Sequence, residues 1–146
     1  MSIKFTILGC GSSMGVPRAD GHWGNCNPFE KKNYRTRCSA MVSSDKMNIL
    51  FDTSPDIRFQ LLKENTKFIN KVFYSHGHAD QTHGINDLRV FYLKTNKKLP
   101  VYADRSTKKQ LLSTFNYCFK SKTGYPAILK MNNLKKKYSF KNKNGK

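Results

Sequence analysis

A mixed α/β domain is the fold class that the sequence predicts, and three observations predict it. Short runs with two-residue alternation, such as Ile3-Lys4-Phe5-Thr6-Ile7-Leu8, are interleaved with longer runs of helical period. Their order reads β-loop-ββ-α-β-α-β-α. No internal repeat interrupts that order, and 146 residues suffice for one domain with a hydrophobic core.

The elements follow in turn. The first strand ends at the glycine-rich turn Gly9 to Gly15, and a long polar loop then runs from Val16 to about Arg37. Loops of that length inside a small domain usually serve a function. Ser39–Ser43 and Asn48–Phe51 read as a hairpin joined near Ser44-Asp45-Lys46. Pro55 fits the first turn of a helix running to about Glu64, with Thr53 or Ser54 as its cap. Lys71-Val72-Phe73-Tyr74 is a short strand, followed by a histidine-rich turn and a helix from about Thr82 to Leu93. Val101-Tyr102 reads as a brief strand, and Ser106 caps a helix reaching about Phe119. Phe91, Tyr92, Phe115, Tyr117 and Phe119 fall at core spacing on these helices. Beyond Pro126 the pattern fades. Residues 132–146 are expected to be a disordered, lysine-rich tail behind a domain of residues 1–131.

Composition excludes some classes and leaves others open. No run approaches the roughly 20 apolar residues of a membrane span. The N-terminus lacks the apolar core of a signal peptide, so a cytoplasmic location is expected. The four cysteines, Cys10, Cys26, Cys38 and Cys118, form no C-x-x-C pair and are expected as free, buried thiols. The net charge of +18 suits an anionic partner, nucleic acid included. Against that stands codon bias: 21 lysines face only 6 arginines, beside 13 asparagines. Six of the lysines lie between 135 and 146. Gly9-x-Gly11 looks like the start of a dinucleotide fingerprint, but Met14 stands where the third glycine belongs.

The chemistry concentrates in Tyr74-Ser75-His76-Gly77-His78-Ala79-Asp80-Gln81-Thr82-His83-Gly84. Three of the chain's four histidines lie between 76 and 83. In extended backbone, residues two apart face the same way, so His76 and His78 can aim at one point, with Asp80 next in phase. Neutral imidazole with carboxylate suits zinc, with manganese and iron as alternatives.

His76-x-His78-x-Asp80 after Val72-Phe73-Tyr74-Ser75 resembles the signature of the metallo-β-lactamase superfamily. The stretches Gly9–Ser13, Gly15–Arg18, Trp23–Cys26, Arg35–Ser39, Ile49–Asp56 and His83–Arg89 are similar to its branch of phosphoribosyl cyclic phosphate phosphodiesterases. The likeness covers roughly residues 3–131. It implies an αββα sandwich, here only about its first half, with a metal site at the sheet edge. It also implies phosphodiester hydrolysis by a metal-activated water. Carried onto this chain, His76 and His78 match ligands of a first metal and Asp80 a ligand of a second, with Asp80 and His83 as the catalytic candidates. Asp52 matches a supporting position, and Gln81 is the second site-support candidate. Gln81 stands where the superfamily has a histidine. Arg18 and Arg89 are the substrate-binding candidates, with Arg89 expected to pair with Asp87 or Asp56. The substrate would be a phosphodiester small molecule or nucleotide.

The family's remaining ligands come from a C-terminal half that has no counterpart here. Three alternatives therefore accompany the hydrolase reading. The chain is an inactive remnant, or a half-enzyme that pairs with a separate C-terminal half or a second copy, or an RNA-processing nuclease or basic nucleic-acid-binding module. A half sandwich should leave one sheet face uncovered.

Overall fold

Six strands form one sheet in sequential order, and the direction of their connections decides its shape. The computed structural model describes residues 2–138. β1 (Lys4–Gly9), β2 (Ser39–Ser44) and β3 (Met47–Phe51) form an antiparallel meander. β4 (Lys71–Phe73), β5 (Leu99–Ala103) and β6 (Leu129–Asn133) then add parallel to β3, one after another. Each parallel step needs a crossover, and crossovers are right-handed. Successive right-handed crossovers moving in one direction lay every helix on the same face.

Those helices are α1 (Ile57–Lys63), the short α2 (Ala79–Thr82), α3 (Arg89–Thr95), α4 (Arg105–Thr114) and α5 (Asn116–Phe119). Leu50, Val72, Val101 and Leu129 point from the strands into the helix layer and are at most 1% exposed. They meet Ile57, Ile85, Leu88, Phe91, Leu111 and Phe115 in one core. Tyr92, Tyr117 and Phe119 pack against its margin, as their helical spacing predicts.

The opposite face is open. Ile3, Phe5 and Ile7 are 75%, 63% and 66% exposed, and Phe51 beside them is 37% exposed. Further along the same face, Phe51, Phe73 and Tyr102 stack in a row at 5.7 and 4.7 Å, and Tyr138 packs edge-on against the last two. This is the uncovered face expected of half a sandwich.

Several boundaries differ from the sequence expectation. The helix expected over 82–93 is broken into α2, a 3-10 turn (Ile85–Leu88) and α3. The break lies at Gly84, whose backbone passes so close to Ser54 that a Cβ would stand 2.0 Å from the Ser54 carbonyl oxygen. The first helix begins at Ile57 with Asp56 as cap residue; the Ser54 hydroxyl accepts from the Asp56 N–H instead. The cap of α4 is Asp104, which accepts from the Thr107 N–H at 2.7 Å, and not Ser106. β6 is a strand the sequence did not suggest. It takes residues 132 and 133 out of the expected tail, while residues 139–146 lie outside the described part. No helix among the described residues is long and apolar enough to cross a membrane.

Substituting Gly84→Ala should cost about 3 kcal/mol, because the obstacle is backbone and not a movable side chain. The drop would appear as a lower urea midpoint at unchanged slope. A wild-type midpoint would mean that the two segments are not in close approach.

Candidate metal and phosphate site

The carboxyl ends of β3 and β4 are adjacent because these strands pair in parallel, and the chemistry gathers there. Just past β3, Asp52 adopts a left-handed backbone (φ 61°) and turns its carboxylate toward β4. It accepts from the Ser75 N–H at 2.7 Å and from the Ser75 hydroxyl at 2.7 Å. Having donated its proton, that hydroxyl can only accept from His76 Nδ1, 3.0 Å away. The series Asp52, Ser75, His76 thereby places the proton on Nδ1 and leaves His76 Nε2 as an acceptor. That nitrogen is hydrogen-bonded to His78 Nδ1 at 3.2 Å, with the rings 4.7 Å apart and nearly perpendicular. Two ring nitrogens thus converge on one point at the surface, as the two-residue spacing predicts.

Thr53 and Gly84 hold the histidine turn against β3. The Thr53 N–H donates to the Gln81 carbonyl at 2.7 Å, its hydroxyl shares a 2.7 Å bond with the buried Tyr74, and the Gly84 N–H donates to the Thr53 carbonyl. Beneath the turn, Gln110 donates to the Gly77 carbonyl at 2.7 Å.

Burial pushes the Asp52 carboxyl upward, against the two Ser75 hydrogen bonds and the nearby His76, which pull it down. The Asp80 charge is felt at Asp52, Arg37 and Cys38, so Asp80 belongs to the same neighbourhood. Gln81 is buried and donates to Asp80 at 3.0 Å, while its own Oε1 has no partner. His83 is placed elsewhere. Its Nδ1 bonds the Thr82 hydroxyl and its ring packs edge-on against Phe115 at 5.3 Å.

The arginines sort differently from the expectation. Arg89 pairs with neither Asp87 nor Asp56; its guanidinium lies 4.9 Å above the Tyr125 ring. Asp56 is taken by Arg37, which grips it through Nε, Nη2 and its backbone N–H at 2.6 to 2.8 Å. Arg18 is held by Asp20. Arg18 and Arg37 share a cleft of about 280 Å³ with Tyr34 and Arg35. Arg35 alone of its three arginines has no carboxylate partner among the described residues. The glycine-rich turn offers fewer free N–H groups than its composition suggests, since Gly11 donates to Thr36 and Gly15 to Ser12. Three of the four cysteines are exposed, contrary to expectation; only Cys118 is buried. His22 accepts from the Gly24 N–H within its own loop.

Residues 47–145 match the model of the beta-lactamase superfamily domain. The chain belongs to the metallo-β-lactamase superfamily. It is 32% identical over 141 residues to an octanoyltransferase from Porphyromonas gingivalis, covering 94% of this chain and 28% of that one. It is similar to the crystal structure of a diphosphatase from the PhnP family, with a TM-score of 0.80 and 33% identity, over 94% of this chain and 52% of that one. Zinc-bound PqqB from Methylobacterium extorquens shares the fold, with a TM-score of 0.65 and 20% identity, over 92% and 50% of the two chains. The chain therefore spans about a quarter to a half of the relatives it matches.

This fold implies divalent metal, and the donors present fit it in part. His76 Nε2 and His78 Nδ1 converge as two ligands of one ion would, and the orphaned Gln81 Oε1 lies one residue from Asp80. Zinc takes four donors, however, and no group of three His, Cys, Asp or Glu side chains is assembled among the described residues.

Two predictions follow from this geometry. Ser75→Ala removes the link that fixes the His76 tautomer and should weaken zinc binding about 10- to 100-fold, read by competition with a chromophoric chelator. Unchanged affinity would mean that the link does not orient His76. The second concerns pH. The Arg37 hydrogen bonds hold the Asp56 carboxyl below its ordinary value. Its stabilisation is present above the unfolded value of about 4 and is lost as pH falls through the lowered folded value. Asp56→Asn should therefore cost about 2 kcal/mol at neutral pH, with the gap to wild type closing below about pH 4. Asp52 runs the other way, because its folded value is raised and its ionisation costs stability as pH rises. A pH-independent gap at Asp56 would mean that the bridge does not carry the effect.

Proposed function

We propose that this chain supplies the N-terminal part of a metal-dependent phosphodiester hydrolase. The observation that carries the reading is the convergence of His76 Nε2 and His78 Nδ1, with Asp52 and Ser75 fixing the proton on the far side of His76. In this reading His76 and His78 hold zinc, manganese or iron, and Asp80, steadied by Gln81, faces the same centre. A divalent ion there supplies an activated water and polarises a phosphoryl oxygen. Arg35 and Arg18 in the neighbouring cleft hold the substrate's anionic group, which Arg suits by its planar fork. Arg89, which lies over Tyr125, and His83, which packs on Phe115, are in this reading a substrate contact and a proton donor. The likeness to a diphosphatase supports a phosphate-bearing substrate. The exposed thiols suit a reducing, cytoplasmic setting.

The missing donors come, in this reading, from a second sheet laid over Ile3, Phe5, Ile7 and Phe51. An exposed apolar face of that kind marks an interaction surface. The partner is a polypeptide equivalent to the other half of the PhnP-family structure. Phe5→Lys with Ile7→Lys should abolish that association, and self-association where it occurs, in sedimentation measurements. Unaltered sedimentation would remove the face from the account.

The deciding experiment is metal analysis of the purified chain beside a His76→Ala/His78→Ala variant, followed by hydrolysis of a chromogenic phosphodiester. Metal retained by the chain and lost in the variant supports the reading. Equal metal in both overturns it. The net charge of +18 favours a second reading, an RNA-directed nuclease or nucleic-acid-binding module. It predicts RNA binding that falls steeply with salt and survives the double-histidine substitution.

A further inference from the structure

We propose that Cys10 and Cys38 are a reversible dithiol–disulfide site beside the metal ligands. Gly9 and Ser39 are register partners at the end of the antiparallel β1–β2 ladder, just after a bulge, and Gly11 meets Arg37 in an isolated parallel bridge. Cys10 and Cys38 therefore stand opposite each other between two fixed pairs. Bridged residues of neighbouring strands have Cα atoms about 4.5 to 5.5 Å apart and a disulfide spans about 4.4 to 6.8 Å, so two residues set between two such pairs are within its reach. Alternation puts both thiols on one face. Ser39 is buried on the helix side and Gly9 faces the Arg37 carbonyl, so the residues between project the other way. Both cysteines are exposed and free. Asp52 and Asp80 act on Cys38, which places the pair at the margin of the metal site.

The chemistry needs a hydroperoxide as oxidant. Peroxide oxidises the Cys10 thiol to a sulfenic acid and leaves as water. Cys38 sulfur then attacks Cys10 sulfur, the S–S bond forms, the S–O bond breaks, and the hydroxyl departs with the Cys38 proton as a second water. Two electrons pass from the two thiols to the peroxide. The product adds a covalent link at the base of the long loop that carries Arg18 and Arg35, where the Gly9–Ser39 and Gly11–Arg37 pairs already join the two ends. A small thiol reverses the step by exchange.

The test treats the full chain with hydrogen peroxide, blocks the remaining thiols with an alkylating agent, and maps tryptic peptides without reduction. The expected product joins the peptide of residues 5–18 to that of residues 38–46, two hydrogen atoms lighter than their sum, and dithiothreitol separates them. Cys26→Ser should leave the cross-link intact, and Cys38→Ser should leave Cys10 as a sulfenic acid trapped by dimedone. Cross-links through Cys26, or independent over-oxidation of Cys10 and Cys38 in the wild-type chain, would overturn the proposal. The mapping needs neither metal nor activity, so it is independent of the hydrolase reading.

Discussion

The carboxylate of Asp52, held by two hydrogen bonds from Ser75, is the contact on which the site depends. It joins the ends of two parallel strands, and it needs a left-handed backbone at Asp52 to do so. A non-glycine residue in that conformation costs about 1 kcal/mol or more, and two charge-assisted hydrogen bonds offset that cost. The residues after Asp52 extend the clasp. Thr53 binds the histidine turn through Gln81, Tyr74 and Gly84, while Ser54 binds Ser39 and the start of α1. Three successive residues thus gather segments from β2, β4 and two helices, and the two imidazoles converge because everything beneath them is fixed.

What the sequence shows of this depends on how local each interaction is. The His76–His78 pair was legible, because the two-residue spacing alone aims both rings one way. The clasp from Asp52 to Ser75 was not, since 23 residues separate the partners and only the parallel pairing of β3 and β4 brings them together. Arg37 and Asp56, 19 residues apart, were hidden for the same reason. β1 to β5 were legible as apolar runs or as alternation. β6 was not, because Lys130, Asn132 and Asn133 dilute its pattern and it gains its order from the neighbouring β5. The break at Gly84 is likewise tertiary, a consequence of where the Ser54 carbonyl lies.

Charge and apolar surface are segregated in a way that bears on function. The open sheet face carries Ile3, Phe5, Ile7 and the aromatic row, while the cleft between the glycine-rich turn and the end of the long loop carries Arg18, Arg35 and Arg37. Two of those arginines are neutralised by Asp20 and Asp56, so the local field is weaker than a count of cations suggests. Arg35 is the cation left over, and a long-range excess of +18 steers anions toward it more than it binds them.

The helix-covered face explains how half a sandwich orders its site without the other half. Leu50, Val72, Val101, Leu111, Ile128 and Leu129 are at most 1% exposed within this chain alone, so the main core lies on one side of the sheet. Every residue of the clasp, and the turn it supports, is anchored to that side. In the proposed reading, covering the open face adds donors to a His76–His78 pair that is already oriented. Complementarity between two such halves then demands little reorganisation of the first, and the ordering cost of assembly falls mainly on whatever brings the remaining ligands.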